Sequence, residues 1–165
     1  MKELIKREIK FLGEHIAVII LGAFLAAAGG VILWINGGST WFYIRTSCSG
    51  GTLGIIFSVW VLTYGLSGAG MAVMWLTYRS GKRDFCKTLP LFCVNVLSYL
   101  FMLVWYALFF CTRLGIFAGV MLILSCLFDA VIFISMRKSF FIFQLVTVIV
   151  FLIKLYFVIF TFIHI

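Results

Sequence analysis

Asp129 and Lys154 each interrupt an apolar run long enough to cross a bilayer. Charge inside hydrocarbon is costly, so such residues are usually paired or functional. At 1.5 Å per residue from the nearest basic turn, Asp129 sits about 9 Å deep and Lys154 about 22 Å deep. That offset predicts no relaxed direct pair. Lys154 could snorkel or meet water in a cavity between helices; otherwise each would find a backbone carbonyl or a hydroxyl such as Tyr156. The two could also act as the relay of a small transporter. Asn95, in another apolar run, reads as interhelical glue. His15 and His164 stand at run boundaries and need no special role.

The second chemistry is aromatic. In the uncharged stretch from Phe57 to Trp75, helical spacing puts Phe57, Trp60, Tyr64, Met71 and Trp75 within one arc of roughly 60°. Gly65, Gly68 and Ala72 occupy the adjoining arc. One face is large and flat, with polar handles; the next lets a neighbouring helix come close. Ser98, Phe101, Met102, Trp105 and Phe109 share a face in the same way. Such stripes also occur on ordinary packing helices with aromatics toward lipid.

Enzyme signatures are missing. The chain has no paired-carboxylate site, HExxH, GxSxG or phosphate-binding glycine loop. The five cysteines, Cys48, Cys86, Cys93, Cys111 and Cys126, are scattered without CxxC or Cys/His metal spacing. No catalytic residue and no metal is expected. Leu76-Thr-Tyr78-Arg-Ser-Gly-Lys82 fits a loose pattern proposed for cholesterol contact, which helix ends often match by chance.

These residues must be positioned by membrane helices. The 165 residues are 65% hydrophobic and 11% charged, with mean hydropathy +1.24, far from the balance of soluble domains. The expected fold is an all-α integral membrane protein: one domain, a bundle of five transmembrane helices near 15–35, 54–78, 88–111, 114–136 and 139–165. The charged prelude before His15 carries an apolar stripe and could start the first helix early, along the membrane surface. The first helix holds Gly22, Ala26 and Gly30 at spacing four. With Gly65, Gly68 and Ala72, that ladder could serve a structural subunit or a homodimer as a partner face.

The net charge of +8 follows membrane orientation rather than nucleic acid. With five spans, Lys2, Lys6, Arg7, Lys10, Arg79, Lys82, Arg83, Lys87, Arg137 and Lys138 share one side, against Arg45 and Arg113 on the other. That asymmetry predicts a cytoplasmic N-terminus and an outside C-terminus.

Val59-Trp60…Tyr64…Gly68 resembles the V-W-x-x-L-Y-x-x-M-G of the TspO/MBR family, the tryptophan-rich sensory proteins and the mitochondrial translocator protein. Trp105-Tyr-Ala-Leu-Phe109-Phe110-Cys-Thr-Arg113 is similar to its W-x-P-x-F-F-x-x-R, and Trp41-Phe42 to the W-Y opening its first loop. The correspondence covers most of the chain in order. The resemblance implies a receptor-like protein of a bacterial cell membrane. It implies a small flat lipophilic ligand, porphyrin- or sterol-like, held non-covalently in the bundle. The lining it suggests is Trp60, Tyr64, Trp105, Phe109, Phe117, Leu124, Val148 and Phe151, with membrane lipid as the other partner. There are departures. The first-loop prolines are gone, Ala107 replaces the proline before the Phe pair, and P-Y-L-x-W reads Gln144-Leu-Val-Thr-Val148. Two tryptophans tied to tetrapyrrole chemistry align with Gly54 and Val148, so light-driven tetrapyrrole degradation is not expected.

The charge argument is tested by cysteine labelling in a background without native cysteines. Position 82 should react from the cytoplasm and position 45 from outside; reversed reactivity would overturn the orientation.

Overall fold

Polar and basic connections cut the chain into apolar runs, and each run folds as a helix because only internal hydrogen bonding satisfies a backbone in lipid. The structure, a computed structural model, describes residues 2–37, 50–79, 85–136 and 141–163. The first-loop residues Trp41, Phe42, Arg45 and Cys48, the basic residues Lys82, Arg83, Arg137 and Lys138, and His164 lie outside them. The helices are α1 Lys2–Glu14, α2 Ile16–Gly37, α3 Gly50–Arg79, α4 Phe85–Tyr106, α5 Gly115–Met136 and α6 Phe141–Ile163. All but α1 are long and apolar enough to span a membrane, which makes five candidate spans among the described residues. The fold is an all-α membrane bundle.

The prelude is a helix of its own. The helical ladder lapses at His15, whose Nδ1 lies 2.9 Å from the Phe11 carbonyl. On α1, Glu8 is buried while Lys6, Arg7 and Lys10 are exposed. The Glu8 carboxylate accepts hydrogen bonds from the backbone N–H groups of Phe141 (2.6 Å) and Ile142 (3.0 Å). These are orphan donors at the positive end of α6, where a carboxylate is favoured.

Helices α3, α4, α5 and α6 form a ring, each touching the next, and α2 packs on the outside of α3. Helix α2 keeps Ile20, Phe24 and Leu25 exposed on its outer side. The two small-residue faces expected as partner surfaces meet each other inside one chain. A Cβ added at Gly22 would lie 2.9 Å from the Ala72 Cβ. One at Gly68 would run into the Gly22 carbonyl and the Ala26 Cβ. Gly30 leaves room for the Tyr64 ring, 2.8 Å from where its Cβ would be.

Helix α4 ends in a π-helical turn, Ala107–Cys111, that begins where the resembled motif has proline. The wider turn carries both Phe109 and Phe110 into the core. The Leu108 carbonyl accepts from the Leu114 N–H at 2.9 Å, and Arg113 closes the turn with φ 61°, an uncommon conformation for a side chain with a Cβ.

Gly68→Val should destabilise the fold by about 1–3 kcal/mol, as overpacking does. Gly54→Ala, with open space around its Cβ, should be neutral or stabilising by up to about 1 kcal/mol. Thermal unfolding in detergent measures both; equal effects would remove the close α2–α3 contact.

Candidate functional site

Helices α4, α5 and α6 bring three polar residues to one point within the bundle. Lys154 Nζ lies 2.7 Å from Asp129 Oδ2. It donates to Ser98 Oγ at 2.8 Å, and Ser98 donates its single proton to Asp129 Oδ1 at 2.6 Å. Ser98 Oγ also lies 3.1 Å from both oxygens of Ser125, but the shorter, charged acceptor wins the proton. Ser125 Oγ donates instead to the Ser98 carbonyl at 2.8 Å. All four residues are buried: Ser98 1%, Ser125 0%, Asp129 4% and Lys154 1% exposed.

The direct pair corrects the expectation that depth keeps Asp129 and Lys154 apart. Asp129 is about 10 Å along its helix from Met136, and Lys154 about 20 Å from Phe141, so the backbone offset is real. Side chains, however, lean toward the N-terminus of their own helix. Helices α5 and α6 run antiparallel, so Asp129 leans toward Lys154 and the long lysine stem leans back. Tyr156, named as an alternative partner, is 54% exposed on the outside.

Asn95 is buried beside this centre and donates to Met74 Sδ at 3.5 Å. A pocket of about 20 Å³ lies between Asn95, Asp129, Ser67 and Thr147, walled by Gly70 and Phe143. A larger apolar cavity of about 190 Å³, lined by Leu12, Ile19, Val73, Phe143 and others, adjoins it.

The aromatic site residues divide. Trp60, Tyr64, Trp105 and Phe109 come together in one buried cluster with Tyr106, Phe110 and Phe157. Their rings pack on one another: Trp60 to Trp105 at 4.5 Å, Trp60 to Tyr64 at 4.6 Å, and Trp105 stacked on Phe109 at 5.9 Å. The Trp105 indole donates to Thr161 Oγ1 at 3.0 Å, and Tyr64 to the Met102 carbonyl at 3.3 Å. Trp60 Nε1 and Tyr106 Oη are buried without a hydrogen-bond partner among the described residues. Phe117 faces outward, 61% exposed. Leu124, Val148 and Phe151 are half-buried and belong to neither buried cluster.

The open space lies elsewhere. A groove of about 460 Å³ runs between α2, α3 and α4, open to the outside of the bundle. Gly22, Ala26, Gly68 and Ala72 line it together with Met71, Trp75, Phe92 and Tyr99. Trp75 and Phe92 stand with ring centroids 5.6 Å apart, and the Tyr99 hydroxyl donates to the Ala26 carbonyl at 3.2 Å. One aromatic stripe of α3 therefore serves two settings: Trp60 and Tyr64 fill the core, while Met71 and Trp75 border the groove.

Sequence reasoning missed Ser98 and Ser125 as partners of the charges, Glu8 as a cap, and Thr161 as the acceptor of Trp105. A signal existed for part of this. Thr147, Lys154 and Thr161 recur at spacing seven on α6, and all three are buried.

Removing one member of a buried pair leaves an uncompensated charge. Asp129→Leu or Lys154→Met alone should cost about 3–5 kcal/mol, and the double variant should recover most of it. Reversible unfolding in detergent measures the cycle; additive losses would mean that the two charges do not meet.

Compared with models of protein families, with curated proteins and with solved structures, the chain gives no match in any of the three.

Proposed function

We propose that this protein is a membrane receptor-like protein that binds a flat lipophilic ligand, porphyrin- or sterol-like, in the groove between α2, α3 and α4. The observation that carries this reading is the groove itself. At about 460 Å³ it is within the size range of small-molecule sites, which are mostly apolar with a few polar groups. Its glycines and alanines make a smooth wall on which a flat ring system can lie. Trp75 and Phe92 offer stacking faces, and the Tyr99 hydroxyl is the polar handle. The aromatic cluster around Trp60 supports the α3–α4 contact and leaves its rings facing one another rather than a ligand. The TspO/MBR resemblance agrees in ligand class, and a divergent member would keep the bundle while moving the site. The opening toward lipid lets a ligand enter from the bilayer, which is where such molecules concentrate. In this reading the N-terminus is cytoplasmic and the protein performs no catalysis.

Protoporphyrin and cholesterol binding to purified protein distinguishes the two locations. Trp75→Ala removes a groove wall and should weaken binding several-fold to about tenfold, the size of one lost aromatic contact. Val18→Trp, which fills the groove from its exposed rim, should do at least as much. Trp60→Leu should leave the affinity unchanged in protein that remains folded. Loss of binding in Trp60→Leu with full binding in Trp75→Ala would place the ligand in the bundle interior instead.

A further inference from the structure

The Asp129–Lys154 centre has hydrogen-bonding capacity that its protein partners do not use. The ammonium has three hydrogens, and among the described residues it meets Ser98 Oγ and Asp129 Oδ2. Asp129 Oδ2 meets the ammonium at 2.7 Å and has no other partner among those residues. The pocket beside it is polar: Ser67, Asn95, Asp129 and Thr147 all border it. Its volume of about 20 Å³ exceeds the 10–15 Å³ or so that one water needs. A polar pocket of that size with several hydrogen-bonding walls holds water, whereas an apolar one stays dry.

We propose that this pocket is a water-binding, proton-exchanging site, filled from the end of the bundle that carries α1. Gly70, Phe143 and Val146 border both the small pocket and the 190 Å³ cavity. Leu12 of α1 lines the outer part of that cavity. The Phe143 ring is the barrier between the two: it lies 3.2 Å from where a Gly70 Cβ would be, and Asn95 Nδ2 lies 3.4 Å from the same point. Glu8 holds the N-terminus of α6, two residues before that ring, through Phe141 and Ile142.

The exchange step conserves charge. A proton leaves Lys154 Nζ for Asp129 Oδ2, breaking N–H, forming O–H and making the pair neutral. The carboxyl then trades this proton with the pocket water and returns one to Nζ. No electron is gained or lost, and no other reactant is needed. The groups around Asp129 are the Lys154 ammonium from α6, the Cys126 thiol and Ser125 from α5, Ser98 and Asn95 from α4, and Ser67 from α3; of these only the ammonium and the thiol are ionisable.

The test is magnetic resonance of ¹⁵N-lysine protein in bilayers after transfer to D₂O, with Lys154→Arg identifying the Lys154 signal. The ammonium should become deuterated within minutes. Phe143→Trp, which plugs the passage, should slow this at least tenfold, and Phe143→Leu, which opens it, should speed it. Protonation lasting hours in the unaltered chain would show a dry, closed pair and overturn the proposal. Exchange at one rate in all three proteins would overturn the route past Phe143. An experimental map should also show a water within hydrogen-bond distance of Asp129, and an empty pocket there would count against the site even if both variants fail to fold.

Discussion

The bundle depends on a contact between opposite charges buried away from bulk water. Lys154 and Asp129 must meet, because an isolated ammonium or carboxylate buried in hydrocarbon is the costliest group the fold could contain. The pair fixes the relative height of α5 and α6. Ser98 bonds to both charges, so α4 is held to the same register. Apolar side chains alone would allow these helices to slide or rotate at little cost, since lipid tails are as apolar as leucine. A buried pair is weak evidence for net stability; its contribution here is to specify one arrangement.

Around that point the chain uses two other kinds of contact. Between α2 and α3, missing side chains do the work: Gly22 and Gly68 bring the backbones together, and Gly30 admits the Tyr64 ring. Between α3, α4 and α6, large rings fill the space, with Trp60, Trp105 and Phe157 mutually in contact. The groove lies where the first kind gives way at the rim of α4. Close approach of α2 and α3 leaves a shallow floor, and Trp75, Phe92 and Tyr99 rise beside it. Tight packing thus produces an accessible surface next to a core with little room.

Much of the fold was legible because hydrocarbon imposes a simple rule: apolar runs of about twenty residues between polar or basic connections become helices. The five spans follow from that rule, and their observed ends fall within a few residues of the expected ones. What depended on three-dimensional direction was not legible. Counting depth along Cα positions separated Asp129 from Lys154, because it ignored the opposite lean of side chains on antiparallel helices. The Glu8 cap joins residues 133 positions apart, and local sequence carries no trace of it. The break at His15 and the π-helical turn after Tyr106 answer to packing, not composition. Periodicity grouped Trp60, Tyr64, Met71 and Trp75 correctly on one face, but it could not show that the face passes from the core to the groove along its length. The seven-residue spacing of Thr147, Lys154 and Thr161 marked the buried polar stripe of α6 and was the clearest cue left unused.

The account stands on the meeting of the two charges, and a distance measures it most directly. Protein with ¹³C-aspartate and ¹⁵N-lysine has two aspartates, Asp84 and Asp129, and Asp84→Asn leaves one. Carbon–nitrogen dipolar recoupling in bilayers should find the Asp129 carboxyl carbon within about 4 Å of a lysine Nζ, as a contact ion pair requires, and the coupling should vanish in Lys154→Met. The absence of such a coupling in the folded protein would contradict the pair and the helix register built on it.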